Sequence, residues 1–166
     1  MSEFKYNKLL YLFDVIITGI VAIGAFIVSL VYFHSNLSLL LLVGIVCIYT
    51  MWNAFVSKVH PEKIVIKENE IVFESFNSKA KYYIDGSDRF QLREFPSSGK
   101  LYLRIGKAQF QKGRYWINTK NYSNGKELFE IFRDLDYKIN PESLKSKARR
   151  VNTEYLQKLK RSDKSV

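Results

Sequence analysis

The chain has 166 residues, with 26 Lys or Arg against 16 Asp or Glu and a net charge of +10. Its single cysteine, Cys47, excludes an internal disulfide and a zinc site of cysteine spacing. Two isolated histidines, and the lack of G-x-S-x-G, Walker or H-E-x-x-H patterns, leave no catalytic constellation to argue from.

Residues 1–8, MSEFKYNK, are polar and are expected to be a short cytoplasmic terminus. From Val15 to Ser57 there is no Asp, Glu, Lys or Arg. One bilayer crossing takes about 20 apolar residues, so this run is long enough for two, with a polar break at His34-Ser35-Asn36. The expectation is a transmembrane helical hairpin over 9–57, with helices at Leu9–Phe33 and Leu37–Val56. The first run exceeds the 7–15 apolar residues of a signal peptide core and has no clear small-x-small site. Lys5 and Lys8 precede the hairpin, Lys58 and Lys63 follow it, and the break carries no cation. By the positive-inside rule this is a multi-pass protein of the cell membrane with both termini cytoplasmic. Tyr11 and Trp52 are expected at the cytoplasmic interface.

Small residues recur on both helices. Thr18, Ala22, Ala25 and Ser29 are expected to meet Gly44, Cys47 and Ala54, because helices in lipid pair through close packing of small side chains. Asp14 is the one ionisable group in the apolar run. It either reaches the headgroups, the preferred reading, or makes a functional contact with a membrane partner. Metal and cofactor roles are not expected, and His34 and His60 have no partners nearby in sequence.

All of the net charge falls after the hairpin, since Glu3, Lys5, Lys8 and Asp14 cancel. Strands are predicted at 63–67, 71–76, 81–84, 89–95, 100–105, 108–110 and 115–119, from β-branched and aromatic content and from turn residues such as Pro96-Ser97-Ser98-Gly99. Gly106 and Gly113 serve turns, and Asp85, Asp88 and Glu94 are read as solubilising charge. Trp116, Tyr82 and Tyr83 are candidates for a ligand surface, with core or edge packing preferred. Asn124 and Glu127 form a candidate capping box. The stripe Leu128, Ile131, Phe132, Leu135 then makes an amphipathic helix suited to plug a small sheet.

Two apolar helices, a strand-rich domain, and then RYWINTKNYSNGKELFEIF at 114–132 resemble the bacterial pleckstrin-homology-like (PH-like) membrane proteins, above all the YcxB-like members. That resemblance implies an α+β chain: a two-helix hairpin, then a PH-like small antiparallel β-barrel or sandwich over 58–138 capped by a helix. It implies a cytoplasmic domain held at the membrane, and it supplies no catalytic motif. The first strand pair carries Glu68 and Glu70 and lacks the K-x(n)-R-x-R pattern, so inositol-lipid recognition by that route is not expected.

Residues 139–166 are predicted to be a basic amphipathic helical tail starting at Asn140-Pro141-Glu142. Leu144, Ala148, Val151, Tyr155 and Leu159 form one stripe. Lys145, Lys147, Arg149, Arg150, Lys158, Lys160 and Arg161 are the candidate residues for anionic lipid or an acidic partner, and docking of the stripe on the domain stays open. Nucleic acid ranks below these, because an adjacent membrane already offers anionic groups. The expected function is a non-enzymatic, membrane-anchored PH-like adaptor acting through anionic lipid or a protein partner. The alternative is a small accessory subunit of a transporter or envelope-assembly complex, with a membrane-protein partner or a second copy.

Overall fold

The computed structural model describes residues 1–84, 89–107, 112–149 and 151. It is an α+β chain in which two apolar helices, α1 (Lys8–Tyr32) and α2 (Leu37–Val56), lie near the start. The described fold also contains seven strands, a third helix and a short 3-10 helix at Thr119–Asn121: β1 (Ser2–Lys5), β2 (Lys63–Ile66), β3 (Glu70–Ser75), β4 (Ser78–Tyr83), β5 (Phe90–Phe95), β6 (Lys100–Ile105), β7 (Arg114–Asn118) and α3 (Gly125–Ile139), with the start of a tail helix after them.

Both apolar helices are long and apolar enough to cross a bilayer, and most of their surface faces outward. Asn36 caps α2, its side chain accepting from the Leu39 amide at 3.2 Å. Each helix widens into a π-wound segment at its domain end, Leu12–Ile17 in α1 and Trp52–Val56 in α2. Wider turns of this kind re-aim side chains and free carbonyls. Thr18 answers one of them, its hydroxyl donating to the Phe13 carbonyl at 3.1 Å.

The first eight residues are not a free polar terminus. Ser2–Lys5 pairs antiparallel with β2, setting Phe4 opposite Ile64, and both side chains are buried. Alternation explains the fit: Phe4 and Tyr6 point inward while Glu3 and Lys5 face out. Glu3 accepts from Lys5 at 3.0 Å and from Lys63 at 3.1 Å, and these two ammonium groups hold its carboxyl below the usual range. The hairpin is therefore an insertion between two neighbouring strands of one sheet.

The strands form two antiparallel sheets, β1-β2-β3-β4 and β5-β6-β7, rather than a closed barrel. The β3–β4 turn places Phe76 and Asn77 at positive φ, the geometry that two-residue hairpin turns require. Ile64, Ile71, Leu101, Leu103, Ile117, Leu128 and Phe132 fill the space between the sheets and under α3, with no more than trace exposure. Leu128 and Phe132 are the fully buried members of the stripe predicted for α3, which plugs the open end.

Two predicted helix starts differ from the structure. Asn124 adopts a left-handed conformation and its side chain makes no cap bond, so the expected capping box does not form. Asn140 closes α3 instead of opening the tail: its amide donates to the Phe90 carbonyl at 3.1 Å and to Asp136 at 2.9 Å. The tail helix begins at 144, behind Ser143, whose Oγ accepts from the Ser146 amide at 3.2 Å. The strand predicted at 108–110 lies outside the described residues, as do Asp85 and Asp88.

Candidate functional site

The base of the hairpin is built into the domain. Tyr11, expected at the membrane interface, is 5% exposed and packs edge-on to Tyr6, with ring centroids 5.4 Å apart. Tyr6 packs in turn on Tyr122 at 4.8 Å, and Phe76 lies 5.9 Å from Tyr11 and 6.0 Å from Phe55. This aromatic collar joins both helices to both halves of the sheet system. Burial pushes the Tyr6 phenol up to about 12, with the Asn121 bond pulling it down and Asp14 adding to the rise.

Asp14 sits at the edge of the collar. Its Oδ2 accepts from the Tyr6 hydroxyl at 2.8 Å and from Asn121 Nδ2 at 3.0 Å, and Asn121 also donates to the Tyr6 oxygen at 2.8 Å. Within the hairpin, Ala22, Ser29, Gly44, Cys47 and Ala54 of the predicted set are buried. Thr18 and Ala25 are exposed and do not join that face. Gly19, absent from the predicted set, does: a Cβ there would come within 2.5 Å of the Phe55 ring.

Beside the collar, the outer face of β5-β6-β7 and the hairpin base enclose an open cleft of about 980 Å³. Strand register explains its composition. Gln91 stands opposite Arg104 and Arg104 opposite Arg114. In the next row Arg93 faces Tyr102 and Tyr102 faces Trp116, and in the last Phe95 faces Lys100 and Lys100 faces Asn118. None of these nine outward positions carries an acid. Glu94 points to the other side, where it pairs with Lys145. Trp116 lies at the centre, stacked on Phe95 at 5.9 Å and tilted on Tyr102 at 4.8 Å.

The opposite wall comes from Asp14 and Thr18 of α1 and Tyr49 and Asn53 of α2. His60 borders the cleft, with its Nδ1 3.1 Å from the Trp116 carbonyl oxygen; burial lowers its pKa and keeps it neutral at pH 7. Four cations from three strands therefore face one carboxylate that already accepts two hydrogen bonds. Arg104 and Arg114, two like charges, stand directly opposite one another across β6 and β7. Among the described residues, Arg93, Lys100 and Arg104 have no carboxylate partner.

The tail divides differently from its prediction. Lys145 pairs with Glu94 and, at 3.1 Å, with Asp136; burial opposes its charge, but the two carboxylates more than offset this and raise its pKa. Lys147 pairs with Glu142 at 2.9 Å. Arg149 reaches Asp134 at 3.2 Å and lies over the Tyr137 ring at 4.2 Å. So Lys145 and Arg149 tie the described part of the tail to the domain, while Leu144 (87% exposed) and Val151 (64%) turn outward. Arg150, Lys158, Lys160 and Arg161 lie outside the described residues.

Sequence reading passed over Gln91, Arg93, Lys100, Tyr102, Arg104 and Arg114, and preferred a packing role for Trp116. The available signal was the outward phase of β5, β6 and β7, which is basic, aromatic or amide throughout. No protein-family model, curated protein or solved structure matches the chain.

Proposed function

We propose that the chain is a membrane-anchored, non-enzymatic adaptor of PH-like build, whose β-rich domain works at the cytoplasmic face on anionic lipid or a protein partner. One observation carries this reading: residues on both sides of the hairpin pair within one sheet, so the domain is fixed at the base of two helices apolar enough to span the bilayer. A domain tied down in this way samples only the surface next to the membrane. The order of a four-stranded sheet, a three-stranded sheet and a plugging helix supports the PH-like assignment, with the hairpin inserted after the first strand. The placement of cations before and after the hairpin supports the cytoplasmic side.

The reading as an accessory subunit draws no support from Asp14, whose oxygen is taken by Tyr6 and Asn121 of its own chain. Purification of the full chain in mild detergent separates the two. Recovery as a lone protein favours the adaptor. A stoichiometric membrane partner that is lost on Ala22→Leu favours the subunit. For the membrane reading itself, alkaline carbonate washing leaves the full chain in the membrane pellet; release into the supernatant overturns it.

A further inference from the structure

The cleft offers four cations and an aromatic cluster at a defined height on the hairpin. From Val15 to Tyr32, α1 runs about 27 Å at 1.5 Å per residue, close to the roughly 30 Å of a bilayer's hydrocarbon core. On the membrane reading, Asp14, Thr18 and Asn53, the polar groups of the hairpin wall, fall near the level where acyl chains give way to headgroups. We propose that the cleft is a binding site for the phosphate-bearing headgroup of an anionic phospholipid, with its acyl chains lying along the outward faces of α1 and α2.

Charge complementarity argues for the occupant. Arg93, Lys100, Arg104 and Arg114 approach one volume from three strands, and guanidinium groups match phosphate oxygens bidentately. Trp116 and Tyr102 supply the amphipathic rings favoured at the lipid interface. The hairpin wall closes one side to any extended polymer, which disfavours nucleic acid or an acidic peptide. None of the described tail residues and none of the acidic turn at Glu68–Glu70 lines the cleft.

The proposal rests on the membrane reading, and its test keeps the two apart. The full chain in a mild non-ionic detergent is titrated with phosphatidylglycerol, phosphatidylcholine or inorganic phosphate, and lipid adducts are counted by native mass spectrometry. Phosphatidylglycerol is expected to be retained about tenfold over phosphatidylcholine, and Arg93→Gln with Arg104→Gln to remove that preference. Arg104→Glu is the sharper variant. It reverses one of the cleft's four cationic charges and abolishes the phosphatidylglycerol preference. Replacing Lys158, Lys160 and Arg161 by Gln leaves the preference intact. Equal retention of the two lipids, a preference that survives Arg104→Glu or follows the tail, or displacement of the lipid by millimolar inorganic phosphate overturns the site. A chain that stays in the carbonate-washed pellet but shows no preference loses the cleft alone; one released from the pellet loses the membrane reading as well.

Discussion

Tyr6 donates its hydroxyl to Asp14 across 2.8 Å, joining the residue just before the hairpin to the only carboxylate within it. Asn121 brings the far half of the chain to the same oxygen at 3.0 Å. A carboxylate that reads in sequence as reaching the headgroups is, in three dimensions, also the clasp between anchor and domain. Asp14→Leu leaves two donors without their acceptor, a loss of about 1–3 kcal/mol. The thermal midpoint of the detergent-solubilised chain is expected to fall, and Asp14→Asn, which keeps an acceptor oxygen, to fall less. An unchanged midpoint for the leucine variant would refute the clasp.

The N-terminal strand makes a second prediction. Phe4 is 1% exposed opposite Ile64, so Phe4→Ala removes a packed ring from the core at about 3–5 kcal/mol. Lys5→Ala, on the outward face, changes stability by no more than about 0.5 kcal/mol. Urea unfolding in detergent compares them, and equal effects would mean that the first residues add nothing to the sheet.

Two glycines of α1 test the helix pairing. At Gly19 an added Cβ meets the Phe55 ring at 2.5 Å, whereas at Gly24 it meets nothing within 4 Å. Gly19→Leu is expected to lower the thermal midpoint and Gly24→Leu to leave it in place. The reverse order would show that the helices meet along another face.

Alkaline pH probes the buried phenols. Burial raises Tyr6 to about 12 and pushes Tyr115 and Tyr122 up as well. The folded state thus holds these groups protonated while the unfolded chain ionises them near the ordinary value of about 10. Their contribution is complete below pH 10 and is lost as pH climbs from there toward the folded values. Stability measured from pH 8 to 12 should fall off above about 10, and the triple Phe replacement of Tyr6, Tyr115 and Tyr122 should flatten that fall.

What could be read from sequence follows from which signals are local. The hairpin was legible because missing charge is a property of one continuous run, and α3 because Leu128 and Phe132 repeat at helical spacing. The strand at Ser2–Lys5 was not: with one apolar residue in four, it is defined by a partner some sixty positions away. The Asp14 contact was not legible for the same reason, since Asn121 is remote in the chain. The capping box failed because Asn124 is needed in a left-handed turn out of the short 119–121 helix, which takes its side chain out of position. The cleft escaped notice because each strand's alternating cations look like an ordinary solvent face; only the register of three strands reveals Arg104 beside Arg114.

The most direct check of the central claim is site-selective labelling in intact cells. In a Cys47→Ser background, Ser35→Cys at the hairpin turn and Lys138→Cys on α3 are exposed separately to a membrane-impermeant maleimide. Both positions are exposed on the protein. A hairpin that crosses the bilayer with its domain inside gives labelling at 35 and none at 138 until the cells are opened. Labelling at 138 in sealed cells, or protection at 35, would contradict it.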